Sequence, residues 1–207
     1  MDLTEWLTGF AGAAPIEWLG TIAGFICVAL YIRRSIWAWP VGLFQVILYV
    51  YIFWQAKLYS DMGLNVIYIF LQIYGWWAWL QYQDQQAELV VELGVGWQYG
   101  LWILTALVGA FVMGWLLTHT DASLPYADSL VASTSLVAQW LLTRRKLFNW
   151  SFWIAVDAVA IWVYYQKGLY PTTVLYACFF VMASIGQYSW WKRYHAQTPV
   201  KAEPSYA

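Results

Sequence analysis

Long apolar stretches alternate with short polar segments along the whole chain. Seven of these stretches approach or exceed the roughly 17–25 residues that a helix needs to cross a bilayer. They lie at about 16–32, 36–54, 63–80, 97–117, 126–143, 148–166 and 170–190. The pattern predicts an all-α polytopic membrane protein with seven transmembrane helices.

The remaining segments predict the parts that do not cross the membrane. Residues 1–15 are too short and too mixed to span it, and we expect an N-terminal interfacial arm there. Residues 81–96 are the longest polar segment in the interior of the chain, so we expect a cytoplasmic loop between two halves, 16–80 and 126–191. The apolar stretch at 97–117 then connects the halves, and 192–207 forms a polar cytoplasmic tail.

Composition supports this class and excludes others. Hydrophobic residues make up 62% of the chain and charged residues 10%, against about 25% charged in soluble proteins. The net charge of −1 argues against a nucleic-acid partner, which needs clustered basic residues. Cys27 and Cys178 lie in apolar spans, where we expect unpaired packing residues, and no Cys/His spacing suggests a metal or cofactor.

The basic residues predict the orientation. The first 32 residues contain no Lys or Arg, so no cleavable signal is predicted and we expect the N-terminus to be retained. With the N-terminus outside, only Lys57 and Lys167 face outward. The cytoplasmic side then holds Arg33, Arg34, Arg144, Arg145, Lys146, Lys192, Arg193 and Lys201. This bias predicts an outer N-terminus and a cytoplasmic C-terminus.

The chain also matches itself at an offset of 111 residues (144 − 33 = 111). The matched pairs include Arg33-Arg34 with Arg144-Arg145, Trp39 with Trp150, Gln55 with Gln166, Gly75 with Gly186 and Trp79 with Trp190. Because one connecting span separates the halves, both have the same orientation. We therefore predict two parallel three-helix repeats joined by a connecting helix (3+1+3). Such repeats occur in SWEET sugar transporters, whose substrate site lies between the halves, which favours a carrier over an enzyme.

One face of the third span combines amides with aromatic rings. At 100° per residue its side chains fall within roughly 80°. They are Asn65, Tyr68, Gln72, Trp76 and Trp79, and the matching positions of the second half are Tyr176, Phe179, Ala183, Gln187 and Trp190. Packing between helices is the alternative for Gln72, and a membrane-interface position is the alternative for Trp79 and Trp190.

Asp157 is the single acidic residue near the middle of a span. A carboxylate at that depth is costly, so it is functional unless it is paired. Trp150 and Trp153 share its helix face, and such a surface suits a flat, cationic ring that bears hydroxyl groups. The alternative is a structural hydrogen bond to the serine- and threonine-rich fifth span (Ser133, Thr134, Ser135), and coupling to a proton through Asp157 stays open.

Four segments resemble a known family. They are QIYGWWAW at Gln72 to Trp79, RRSIWAWPVG after the first span, NWSFW at Asn149 to Trp153, and GQYSWWKR near the end. Together they resemble the Pnu family of bacterial vitamin transporters over roughly residues 16–193. The resemblance implies a SWEET-related 3+1+3 fold in the inner membrane, a homotrimer, and facilitated diffusion with trapping by a cytoplasmic kinase. Overall likeness favours nicotinamide riboside, and similar members carry thiamine or riboflavin.

These observations lead to one predicted substrate site. Its residues are Asn65, Tyr68, Gln72, Trp76, Asn149, Trp150, Trp153, Asp157, Gln187 and Tyr188. We predict a uniporter and not an enzyme, because an intramembrane enzyme would need paired acids, a nucleophile with its base, or metal ligands. The alternatives are a carrier of another vitamin, an intramembrane enzyme and a structural scaffold.

Overall fold

The computed structural model describes residues 15–55, 59–85, 91–94, 96–120 and 124–197. Within these residues the chain forms seven helices. They are α1 (Pro15–Ile32), α2 (Ala38–Gln55), α3 (Tyr59–Gln85), α4 (Gly96–Leu117), α5 (Pro125–Thr143), α6 (Asn149–Gln166) and α7 (Tyr170–Gln197). The predicted interfacial arm, apart from Pro15, and the tail beyond residue 197 lie outside the described residues.

Helices occupy all seven predicted positions, and two of them are longer than predicted. α3 continues to Gln85 and α7 to Gln197, past the last apolar residues of their stretches. The end of an apolar stretch therefore does not mark where its helix ends. The polar residues that follow are mostly good helix formers, so each helix continues through them. By length and composition, α1, α2 and α4 are apolar enough to cross a membrane.

Six of the helices form a closed ring. Going around it, α1 packs against α2, α2 against α3, α3 against α5, α5 against α6, α6 against α7, and α7 against α1. Among the described helices no pair on opposite sides of the ring is in backbone contact, and α4 packs against α5 alone. Side chains alone therefore determine which parts of the ring interior are filled and which are open.

The turns that follow α1 and α5 have the same backbone structure. Arg34 and Arg145 both adopt left-handed conformations, with φ of 57° and 55°. After α1, the N–H of Ser35 donates to the carbonyl of Leu30 at 2.9 Å. The corresponding bond after α5 joins Lys146 to Leu141 at 3.0 Å. This is the Schellman ending of a helix, here with arginine where glycine is usual. We call this end of the ring, with Arg33, Arg34, Arg144, Arg145 and Lys146, the basic end.

The described part of the segment between α3 and α4 is tied to the basic end. The N–H of Glu92 donates to the carbonyl of Arg145 at 3.0 Å, and the N–H of Leu147 donates to the carbonyl of Glu92 at 2.8 Å. The Glu92 carboxylate also pairs with Lys146 at 2.6 Å and with Arg145 at 3.3 Å. Burial alone would raise the pKa of Glu92, but the hydrogen bonds and charges of Lys146 and Arg145 outweigh it and lower this pKa.

Candidate functional site

Four buried tryptophans fill the ring at its basic end. We call Trp39, Trp79, Trp150 and Trp190 the indole cluster, and none of them is more than 3% exposed. The Trp79 and Trp190 rings meet across the ring of helices with centroids 6.4 Å apart, although α3 and α7 have no backbone contact. The indole cluster therefore closes this end.

Glycines of the third helix in each half make room for these rings. A Cβ atom on Gly75 would collide with the six-membered ring of Trp39. A Cβ atom on Gly186 would lie 2.6 Å from the ring of Trp150. The edge-on packing of Trp39 on Trp79 and of Trp150 on Trp190 is also matched, with centroids 5.2 and 5.7 Å apart. All three residues of each arrangement, one glycine and two tryptophans, are 111 positions from their counterparts.

The indole N–H groups are mostly unpaired. Trp190 donates its N–H to the carbonyl of Tyr31 at 3.1 Å. The buried N–H groups of Trp39, Trp79 and Trp150 have no hydrogen-bond partner among the described residues. Because an unpaired buried donor costs free energy, this packing is less favourable than the apolar contacts alone suggest.

Gln72 lies in a buried polar layer beyond the indole cluster. The Tyr31 hydroxyl donates to Gln72 Oε1 at 2.7 Å, which joins α1 to α3 across a sequence separation of 41 residues. The same hydroxyl faces Gln139 of α5, whose Nε2 has no partner within the described chain. Gln72 and Gln139 are 5% and 4% exposed. This layer of one phenol and two amides is thus an enclosed polar group that contains a predicted site residue, Gln72.

Tyr68, Asn65 and Trp76 extend the α3 stripe on either side of Gln72. The Tyr68 hydroxyl faces Ser135 of α5. Asn65 donates its side-chain N–H to the carbonyl of Asp61 at 2.9 Å, so this amide is used within its own helix. Trp76 is half-buried and packs against the indole cluster. The stripe therefore faces the ring interior at Tyr68 and Gln72, whereas Asn65 bonds locally.

Asp157 lies opposite on α6 and is buried without a partner. Its side chain is 4% exposed, and no hydrogen bond or ion pair to it occurs within the described part of the chain. The serines expected to hold it donate elsewhere, since Ser133 bonds the carbonyl of Ala106 at 2.9 Å and Ser135 bonds that of Val131 at 2.5 Å. The structural alternative for Asp157 thus loses both of these serine donors.

Tyr176 of α7 connects the two sides of this interior. Tyr176 lies within electrostatic range of both Asp157 and Tyr68. Its ring stacks on that of Tyr164, with centroids 5.1 Å apart and planes inclined by 16°. Two predicted site residues from different halves therefore share one aromatic neighbour. The position of Tyr176 between these residues and its aromatic side chain suit a surface that binds a flat aromatic ligand.

The remaining predicted residues have different environments. Asn149 is fully buried at the start of α6, and its side-chain N–H donates to the carbonyl of Lys146 at 2.7 Å. Trp153 is half-buried between two apolar clusters. Gln187 accepts a hydrogen bond from Ser151 at 3.0 Å. Tyr188 is 65% exposed and stacks on Trp191, so it lies on the outward side of α7.

Sequence reasoning left three residues of this interior out of the site: Tyr31, Gln139 and Tyr176. Tyr31 lies in the last turn of α1, where an aromatic residue is typical of the membrane interface. Gln139 gave one usable signal, since it is the only amide in the fifth span. Tyr176 is one of the positions of the second half that match the α3 stripe, but that match alone did not place it among the predicted site residues.

Known proteins share both sequence and fold with this chain. The sequence profile of the nicotinamide mononucleotide transporter family matches residues 14–192. The nicotinamide riboside transporter PnuC of Escherichia coli is 27% identical over 212 residues, covering 87% of each chain. The riboflavin/roseoflavin transporter RibM of Streptomyces davaonensis is 26% identical over 182 residues, covering 86% of this chain and 84% of that protein.

A solved structure has the same fold. The crystal structure of the vitamin B3 transporter PnuC has a TM-score of 0.75 to this chain at 24% identity, covering 94% of this chain and 88% of that one. The all-helical fold predicted from the apolar pattern is therefore confirmed.

Proposed function

The chain belongs to the nicotinamide mononucleotide transporter family, and on that basis we propose that it imports nicotinamide riboside, a form of vitamin B3 and an NAD precursor, by facilitated diffusion. It is a multi-pass membrane protein and a vitamin transporter. We assign it to the bacterial inner membrane with the N-terminus outside. The basic end then faces the cytoplasm, as the distribution of Lys and Arg favours.

We further propose that the seven helices are two parallel three-helix repeats, α1 to α3 and α5 to α7, joined by α4. The closed ring supports this, because a two-fold exchange of the repeats converts the α3–α5 contact into the α7–α1 contact. The matched turns at Arg34 and Arg145 and the matched packing of Trp39 on Gly75 and of Trp150 on Gly186 support it independently.

The observation that carries the substrate assignment is the buried, unpaired carboxylate of Asp157. An uncompensated charge at this depth is costly, and a cationic ligand would offset that cost. Nicotinamide riboside supplies a positively charged pyridinium ring. In the proposed site the ring lies near Asp157 and the aromatic rings, while Asn65, Gln72 and Gln187 bind the carboxamide and the ribose hydroxyls.

The transport cycle follows from the closure at the basic end. In this conformation the indole cluster blocks exit to the proposed cytoplasmic side. Rocking one repeat against the other, at the α3–α5 and α7–α1 contacts, would part Trp79 from Trp190 and release the vitamin. No ion gradient enters this cycle, so net import depends on trapping by a cytoplasmic kinase that phosphorylates the vitamin. Family resemblance supports a homotrimer as the assembly.

Removal of the carboxylate tests the substrate assignment. We expect Asp157→Asn to weaken nicotinamide riboside binding at least about tenfold, or about 1.4 kcal/mol, in calorimetric titrations of the purified protein. Glu17→Gln is the matched control, because Glu17 is an exposed carboxylate on α1 and should leave affinity unchanged. If folded Asp157→Asn binds the vitamin as tightly as the wild type, the assignment of Asp157 is wrong.

Riboflavin is the second candidate substrate. RibM is almost as similar to this chain as the Escherichia coli PnuC, with 26% against 27% identity. Riboflavin has a flat ring and hydroxyls but no positive charge, so it would leave Asp157 uncompensated. Thermal unfolding with nicotinamide riboside, riboflavin or thiamine separates the candidates. If riboflavin stabilises the protein and the other two vitamins do not, riboflavin is the substrate and the proposal of nicotinamide riboside is wrong.

A further inference from the structure

Two open grooves flank the end of α5 at the basic end. One of about 380 Å³ lies between α4 and α5, and the other, of about 370 Å³, lies between α3 and α5. None of the ten predicted substrate residues lines either groove. Arg144 borders both. These grooves are thus separate from the vitamin site.

The α4–α5 groove has apolar walls and a basic rim. Indole and leucine side chains form most of its surface, and Arg144 and Lys146 lie at its edge. The wall residues are Trp97, Leu101, Trp102, Trp140 and Leu141. Indoles at this depth are typical of the headgroup region, where one part of the ring contacts hydrocarbon and the N–H meets polar groups. The lining therefore matches a molecule with an apolar chain and a negatively charged head.

Arg144 is the cation available to such a molecule. The neighbouring Arg145 and Lys146 both pair with Glu92, at 3.3 and 2.6 Å. Arg144 is exposed, and its guanidinium lies 4.8 Å from the centroid of the Trp140 ring. It forms no ion pair with an acidic side chain of the described residues. Its charge is thus free to meet a phosphate at the mouth of the groove.

We propose that the α4–α5 groove binds one anionic phospholipid of the inner leaflet, with its phosphate on Arg144 and an acyl chain along α4. Leu104 and Val108 continue the apolar surface beyond Leu101 and are more than half exposed, so the chain would reach the bilayer along this face. The choice between the grooves follows from their linings, since the α3–α5 groove presents Gln81, Thr143 and the paired Arg145. The assignment to the inner leaflet rests on the proposed orientation.

Lipid retention tests this proposal without involving the vitamin. The full-length protein in a neutral detergent is mixed with phosphatidylglycerol or with phosphatidylcholine of the same acyl chains, and bound lipid is counted by native mass spectrometry. We expect the wild type to retain phosphatidylglycerol about fivefold better, as one basic residue near an anionic lipid predicts. Arg144→Gln should lose this preference. Because the readout is lipid, it can fail while nicotinamide riboside transport succeeds, and the reverse.

Arg33→Gln is the matched control. Arg33 is the exposed arginine 111 positions earlier, in the matching turn after α1, and it lines neither groove. It should keep the preference for phosphatidylglycerol. Trp97→Ala shortens an exposed part of the wall and should reduce retention of both lipids.

Four results would overturn the proposal. Equal retention of the two lipids by the wild type would contradict binding of an anionic headgroup. An unchanged preference for phosphatidylglycerol in Arg144→Gln would show that Arg144 does not bind the phosphate. Displacement of the lipid by millimolar inorganic phosphate would indicate a site for free phosphate. A change of oligomeric state in Arg144→Gln would indicate that a second copy of the chain occupies the groove.

Discussion

Gly75→Ala tests the packing of the indole cluster. In the structure Gly75 faces the six-membered ring of Trp39, and the added methyl group would overlap three of its carbon atoms. Trp39 is 0% exposed and packs edge-on against Trp79 and Tyr31, with centroids 5.2 and 5.1 Å away. The ring therefore has no solvent-exposed space into which it can move.

Two opposing effects set the magnitude. Alanine is a better helix former than glycine, which stabilises the variant by about 1 kcal/mol. Overpacking a well-filled core costs about 1–3 kcal/mol, and Trp39 is enclosed enough that we expect the upper part of this range. The net loss is then about 1–2 kcal/mol. For a chain of this size it lowers the Tm by roughly 2–8 °C, at about 2–4 °C for each kcal/mol.

Thermal unfolding of the purified protein, followed by tryptophan fluorescence, measures this loss. Gly63→Ala is the matched control, because Gly63 lies in the same helix and has no atom within 4 Å of an added Cβ. We expect it to be neutral or stabilising. In a Trp39→Phe background the cost of Gly75→Ala should shrink by more than about 0.5 kcal/mol, the usual limit of additivity. A Gly75→Ala variant as stable as Gly63→Ala would refute this packing.

Three further predictions follow from the same structure. Tyr31→Phe removes the donor to Gln72 and leaves a buried acceptor unpaired, so the free energy of unfolding should fall by about 1–2 kcal/mol. A variant as stable as the wild type would contradict this hydrogen bond. Gln72→Ala and Trp153→Ala should each weaken nicotinamide riboside binding several-fold in calorimetry, and unchanged affinity in both would exclude the site. Because the pKa of Glu92 is lowered in the folded state, its stabilisation is present above its unfolded pKa of about 4.3 and is lost as the pH falls through the lower folded value. Since this side chain is 41% exposed, the effect on stability is less than about 1 kcal/mol. Glu92→Gln should make the Tm less sensitive to pH in that range. An unchanged pH dependence of the Tm would contradict the ion pair with Lys146.

The helices could be predicted because the membrane imposes a simple rule. Every backbone polar group inside the bilayer must be paired internally, so a long apolar stretch becomes a helix whatever its neighbours are. The arginine pairs that end α1 and α5 were equally visible. The extensions of α3 and α7 were not, because a helix that leaves the bilayer carries no apolar signal.

The candidate site was only partly visible for a different reason. Helical periodicity places Tyr68 and Gln72 on one face of α3, and the structure directs that face inward. The same periodicity separates neighbours, so Gln187 and Tyr188 differ by 100° around α7, and Tyr188 lies on its outward side. The contact of Tyr31 with Gln72 joins two helices that are not adjacent in the ring. Such a contact depends on tertiary packing and has no local pattern.

Uptake by liposomes that contain only the purified protein tests the central claim most directly. With labelled nicotinamide riboside outside, no kinase and no ion gradient, we predict that the vitamin enters until its internal and external concentrations are equal. An imposed proton gradient should not change this end point. Entry no faster than into protein-free liposomes would contradict a nicotinamide riboside transporter, and accumulation above the external concentration under the gradient would contradict facilitated diffusion.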